Sequence, residues 1–396
     1  MFSERTTQIE RSKFYNNLIE NTIENALTLE FDSLSEAKWG GAFWAMELSG
    51  YKSERTFNSI KKAFAVIDKT SDSFKRGILE LIYTIYPNEF LVEAETLYRK
   101  TANHKVFAMA ANYLLKSNQI ELNEFNALLK NKFIDWEKSP VLSALYKHIN
   151  LSRPANINLN EFFLTGLNGS PTIIYCLQRK NRDYEGLIII RKSDRMFLRD
   201  KSGRIFSVPA LARSVTNLPY YLTNGNTPQG IFSVLGLGNS SNVFIGPTST
   251  IELGMPFEIS PEDFFHSNSV KTKWDEVLYN NIIPVNLRKY SSLYESYFAG
   301  MAGRSEIIAH GSTINPEFYK TEIYYPNTPS LGCITLSELW DLKTGAREIS
   351  NQNKLVNVLK ELNLSDAFLI LIEIDNKNAP IHLDEIEWPK ENNLVK

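Results

Sequence analysis

Two short stretches in the last quarter of the chain hold residues able to do covalent chemistry. Ile307-Ile308-Ala309-His310-Gly311 sets a histidine at the end of an apolar run, and Pro329-Ser330-Leu331-Gly332-Cys333-Ile334-Thr335-Leu336 sets a cysteine behind a glycine. Cys333 is one of 2 cysteines and His310 one of 5 histidines in 396 residues. A thiol becomes a useful nucleophile when a nearby base or a positive environment raises its thiolate fraction, so this pairing suits acyl transfer. The same residue types also fit an ordinary buried cysteine and an unrelated histidine, because separation in sequence does not fix proximity in space.

Both residues sit where regular elements would end. Glu306-Ile307-Ile308-Ala309 reads as a short strand finishing at His310, with Gly311 turning the backbone away. Ser330-Leu331-Gly332-Cys333 reads as a tight turn that leaves a side chain exposed at its exit. Ser337 is expected to cap a helix running through Glu338, Leu339, Trp340 and Leu342.

The length allows at least two cores. With 43 basic and 45 acidic side chains and a net charge of -2, the chain has no field suited to gathering nucleic acid. Cys176 alternates within Thr172-Ile173-Ile174-Tyr175-Cys176-Leu177 and reads as a core strand residue, so no disulfide framework is expected. His104, His148, His266 and His382 are scattered without ligand spacing, so neither a metal nor another cofactor is expected. No apolar run is long enough to span a bilayer, and Met1-Phe2-Ser3-Glu4-Arg5-Thr6 lacks the apolar segment of a secretory signal.

Residues 1–150 read as consecutive helices. Ile19, Ile23 and Leu27 form one stripe; Phe57, Ile60, Phe64 and Ile67 form another. A helix from Phe74 to Tyr86 should stop at Pro87. Further helices are expected over Phe90–Tyr98, Val106–Leu115, Leu122–Leu129 and Val141–Ile149. Short links between helices of this length suggest an antiparallel array resembling a HEAT-like solenoid that could dock a protein partner, with a plain helical domain as the alternative.

Residues 151–169 read as a linker, and residues 170–396 as a mainly β domain with inserted helices. Strands are expected at Thr172–Leu177, Leu187–Arg191, Met196–Arg199 and Ile205–Val208, with a hairpin turn at Lys201-Ser202-Gly203. Thr227-Pro228-Gln229-Gly230-Ile231-Phe232 leads into another strand, followed by a glycine loop, Gly236-Leu237-Gly238, that is no phosphate-binding fingerprint. Tyr290–Phe298 looks helical, Lys354–Leu362 helical, and Ala367–Ile374 extended.

The second half resembles the L,D-transpeptidase (YkuD-like) catalytic domain, the cysteine enzymes that cross-link peptidoglycan. The resemblance rests on His310-Gly311, on Ser330-Leu331-Gly332-Cys333-Ile334-Thr335 after a loop, and on the upstream Thr227-Pro228-Gln229-Gly230-Ile231-Phe232. Leu331 stands where the family usually has a second histidine, and Thr335 where it has arginine.

The resemblance implies a catalytic Cys333 and His310, a backbone carbonyl orienting His310, and peptidoglycan stem peptides as substrate. It implies that Gly332, Ser330, Gly311, Leu331 and Thr335 form the oxyanion hole and substrate-positioning shell. Tyr319, Tyr324 and Tyr325 in the intervening loop, with Trp274 and Tyr297, are expected to line a groove or lid, or else to pack. The thioester would pass to an amine to make a cross-link. A hydrolase on the same scaffold and a non-catalytic wall-binding protein are the alternatives. The implied location is the periplasm or cell envelope, with the targeting segment missing from this sequence; the cytoplasm is the other reading.

Overall fold

The structure, a computed structural model, describes the chain apart from residues 33, 151–156, 269, 271–272, 363 and 391–396. Its internal contacts divide it into a helical unit, Gln8–Leu151 with Val215–Asn224, and a strand unit, Met1–Thr7, Ser152–Ser214 and Gly225–Lys396. The helix-then-strand order agrees with the sequence reading, while the boundaries differ at three places.

Residues 1–7 join the strand unit. Ser3 N donates to Gly345 O at 2.9 Å and Arg347 N to Met1 O at 3.0 Å, so the first residues lie along the 345–347 segment. The expected linker holds a helix, Leu159–Thr165, whose Phe162 and Phe163 are fully buried in the strand unit's core; 151–156 lie outside the described residues. The excursion 215–224 belongs to the helical unit, where Asn112 Nδ2 donates to Tyr221 Oη at 2.6 Å and Asn224 Nδ2 to Glu80 Oε1 at 2.8 Å.

The helical unit comprises α1 (Gln8–Asn17), α2 (Glu36–Ser49), α3 (Glu54–Ala65), α4 (Asp72–Ile85), α5 (Leu91–Lys100), α6 (His104–Lys116), α7 (Leu122–Lys132) and α8 (Pro140–Asn150). Side-chain caps set several starts. Ser53 Oγ accepts from Thr56 N at 3.1 Å, Ser71 Oγ from Phe74 N at 3.1 Å, and Asn103 Oδ1 from Lys105 N at 3.0 Å. α4 ends just short of Pro87, which has no N–H to continue the ladder. Alternate helices stack: α2 packs on α4, α4 on α6 and α6 on α8. Among the described residues no helix is long and apolar enough to cross a membrane.

After α9 (Leu159–Thr165), the strand unit is built on an eight-stranded sheet in the order β3-β2-β1-β10-β4-β5-β6-β7. The strands are β1 (Ile173–Arg179), β2 (Gly186–Arg191), β3 (Ser207–Ala210), β4 (Gly230–Gly238), β5 (Thr250–Gly254), β6 (Ile308–His310), β7 (Ile334–Thr335) and β10 (Phe368–Asp375). β1 is buried along its whole length and pairs parallel with β10, which is why both are continuous apolar runs rather than alternating ones. Leu211, just past β3, exchanges backbone hydrogen bonds with Thr335 of β7 at 2.8 and 2.9 Å, so the sheet's two edges meet. Cys176 is fully buried on β1, as its run suggests.

Three local readings are corrected. The segment after Ser337 is a strand, β8 (Glu338–Trp340), paired antiparallel with β9 (Arg347–Ser350). Its alternation of buried Glu338 and Trp340 around Leu339 is a period of two, and Trp340 Nε1 is anchored on Ser312 O at 3.0 Å. Gly236-Leu237-Gly238 is not a loop but the end of β4, entered through a bulge between Val234 and Gly236. The 201–203 hairpin forms as expected through an Arg199–Ile205 bridge, but the regular strand after it is shifted to Ser207–Ala210. Between β5 and β6 lie α10 (Pro261–Phe264), α11 (Glu276–Asn280) and α12 (Glu295–Met301); α13 (Asn351–Leu359) precedes β10.

Candidate active site

His310 closes β6, and Cys333 is the residue immediately before β7. These strands pair in parallel, with Ala309 opposite Ile334 and His310 opposite Thr335. Carried back one residue, this register sets Cys333 opposite Ile308. Because side chains alternate, Ile308, His310, Cys333 and Thr335 share one face, while the fully buried Ala309 and Ile334 point to the other.

The upstream stretch reaches the same place. Thr227 Oγ1 donates to Gly332 O at 2.9 Å, tying the start of the Thr-Pro-Gln-Gly run to the residue next to the thiol. The three separated stretches singled out in the sequence therefore converge. Gly230 in that run has φ +118, and a Cβ there would lie 2.5 Å from Ser296 Oγ, so only glycine fits as the chain enters β4.

His310 is buried, and its Nδ1–H donates to Gly311 O at 2.5 Å. A backbone carbonyl thus orients the ring, and the bond leaves Nε2 as the nitrogen with a lone pair. Burial pushes the imidazole below its ordinary value, with the Gly311 carbonyl partly opposing that, so the ring is neutral at pH 7.

Cys333 is half-buried and its thiol donates to Glu306 O at 3.5 Å. Burial pushes the thiol above its ordinary value, opposed in turn by the Ile308 backbone N–H, Arg304 and Ser330, while Glu252 adds to the rise. The resting side chain is therefore a thiol, which needs a base before it can attack. Among the described residues no hydrogen bond joins Sγ to the imidazole.

The turn before Cys333 is made by Ser330, whose Oγ donates to Cys333 O at 2.8 Å and accepts from Gly332 N at 3.1 Å. The Gly332 N–H, expected as an oxyanion donor, is thus engaged within the turn. Gly332 has φ +118, and a Cβ there would stand 2.3 Å from Arg304 Nη2 and 2.7 Å from Gly225 O. Leu331 projects outward at 43% exposure. Thr335 is buried on that shared face, with both backbone polar groups and its hydroxyl bonded to Leu211, so it holds the sheet closure together. Gly311 is constrained by Glu338: a Cβ on it would lie 2.1 Å from Glu338 Oε2.

Of the five rings expected to line a groove or lid, or else to pack, four pack against apolar cores. Tyr297 is buried in the main core and Trp274 packs against it, with its Nε1 donating to Ile259 O at 2.8 Å. Tyr319 and Tyr324 are buried around Leu211. Only Tyr325 of the five is exposed, and its hydroxyl donates to Glu317 Oε1 at 2.9 Å. Burying large rings outweighs presenting them to solvent.

No family model, no curated protein and no solved structure matches this chain. Among the described residues no group of three or more His, Cys, Asp or Glu side chains could hold a metal ion.

Three residues near the thiol carry no role in the sequence reading: Arg304, Glu306 and Glu252. Glu306 is legible only in retrospect: its φ of +61 marks a bend before β6 that aims its carbonyl at Sγ. Glu252 stands opposite Ile308 on β5, which requires knowing the β5–β6 register.

Proposed function

We propose that this chain is a cysteine acyltransferase of the L,D-transpeptidase kind, acting on peptidoglycan stem peptides. The observation that supports it is the placement of His310 and Cys333 on one face of two adjacent parallel strands, with Thr227 bonded to the glycine that precedes Cys333. On this reading the work takes place in the cell envelope, and the helical unit, with its alternate helices stacked, is a HEAT-like docking element for a protein partner.

His310 Nε2 removes the thiol proton as Sγ attacks the carbonyl carbon of an L-residue whose next bond leads to a D-amino acid. The carbonyl oxygen becomes an oxyanion beside the Cys333 N–H. The C–N bond then breaks, and the amine departs with the proton held by His310. The resulting thioester on Sγ is opened by a second amine, giving a cross-link, or by water, giving hydrolysis. Because burial keeps the thiol protonated and the imidazole neutral, the proton moves during attack rather than residing on a preformed ion pair.

Product analysis after incubation with a stem tetrapeptide, with and without an added amine acceptor, tests the reading. A cross-linked product that requires the acceptor supports transfer; a trimmed peptide in both cases assigns hydrolysis; no product in either rejects both. The raised thiol also favours a second reading, a wall-binding protein without chemistry, in which native-state titration with a small thiol reagent would leave Cys333 unmodified.

A further inference from the structure

We infer that Arg304 is a positioning residue for this site, its guanidinium supplying the positive charge that favours the Cys333 thiolate; the inference rests on the acyl-transfer reading. Arg304 follows α12, where its N–H donates to Ala299 O at 2.9 Å, and its side chain turns inward to 6% exposure. Nη1 donates to Asn226 O at 3.4 Å. Nη2 occupies the space a side chain at Gly332 would take, 2.3 Å from that ideal Cβ position. The guanidinium therefore lies across the residue preceding Cys333, and the bare glycine is what admits it.

The backbone makes the same connection a second way. Two residues beyond Arg304, Glu306 supplies the carbonyl that receives the Cys333 thiol, so the loop that carries the cation also holds the sulfur. Among the described residues, the other charges on the elements around this pair are acidic or neutral. Glu252 stands on β5 with Oε1 accepting from the Thr250 hydroxyl, Glu258 accepts from the Glu306 N–H, Glu306 carries an exposed carboxylate, and His310 is neutral. Arg304 is the cation that pulls the thiol toward ionisation against burial and Glu252. Thr335, at the position where a cation was expected, supplies none.

The test is the rate of alkylation of Cys333 by iodoacetamide across pH, on the full chain, with Cys176 fully buried in the native state. The thiolate displaces iodide, the S–C bond forms and the thiol proton passes to buffer, so the rate follows the thiolate fraction. Loss of one nearby opposite charge moves a titration by about one pH unit or more. Arg304→Met should therefore shift the midpoint upward and slow alkylation about tenfold at pH 7, whereas Arg304→Lys should retain most of the parent profile. If Arg304→Met does not fold, Arg304→Gln against Arg304→Lys gives the same contrast between neutral and charged.

A purely structural role would change accessibility and hence the plateau, leaving the midpoint in place. An unchanged midpoint in the neutral variant overturns the inference. Alkylation requires no acyl donor. A chain that shows the midpoint shift yet forms no thioester with stem peptides would thus lose the acyl-transfer reading while keeping the charge assignment.

Discussion

Gly311 O accepts a hydrogen bond from His310 Nδ1 at 2.5 Å, so the ring is oriented by the backbone of its own neighbour. That neighbour is itself confined, because Glu338 Oε2 fills the space next to its Cα. The imidazole is thus held from a peptide unit rather than from an acidic side chain, and Nε2 is left with the lone pair.

His310→Ala should slow acylation of Cys333 by roughly 10²–10⁴-fold, the usual contribution of a general base. In the parent, the rate should rise with pH through a titration lying below the ordinary imidazole value, since burial depresses it and only the neutral ring accepts a proton. The variant should lose that limb and follow thiol ionisation instead, still climbing above pH 9.0, because burial raises the thiol from that value. Single-turnover acylation measured across pH distinguishes the two profiles.

Thr335→Arg should not improve the site, although arginine is usual there in the family that the sequence resembles. Thr335 is buried, and its hydroxyl donates to Leu211 O at 3.4 Å where the sheet edges meet. A guanidinium there would be overpacked and desolvated, costing about 1–3 kcal/mol. Thermal unfolding should shift downward; an unchanged midpoint with faster acylation would show that the position faces substrate.

A third prediction concerns the helical unit. Glu47 of α2 is buried, and burial, with the Glu80 carboxylate of α4 adding to it, pushes its pKa well above the ordinary glutamate value. The folded state therefore binds a proton that the unfolded state has already released. The associated stability is present below the unfolded value of 4.5 and is lost as pH rises toward the folded one. Glu47→Gln should remove that loss and raise the unfolding midpoint at pH 7. Melting curves from pH 4 to 8 check it, and a flat parent profile would contradict it.

The elements most legible in the sequence are those whose signals are local. Pro87 stops α4, and the apolar run around Cys176 makes β1. Glu338-Leu339-Trp340 differs from the helix expected there because three residues behind a serine suit a helix start as well as a strand, and the partner that decides it, Arg347–Ser350, is not adjacent in the sequence. Arg304 was invisible for a related reason: its guanidinium meets Gly332 across a long stretch of sequence, and only the fold brings them together. The tyrosines of the 319–325 loop illustrate a different limit, since composition does not say whether a ring faces a substrate or Leu211.

The central claim is that Cys333 forms a thioester, and intact-protein mass spectrometry with peptide mapping, after incubation with a stem tetrapeptide or a carbapenem, tests it most directly. The account predicts one adduct, mapped to Cys333 in the parent and missing from a folded Cys333→Ala chain. An equal adduct on both chains, or none on the parent, would contradict it.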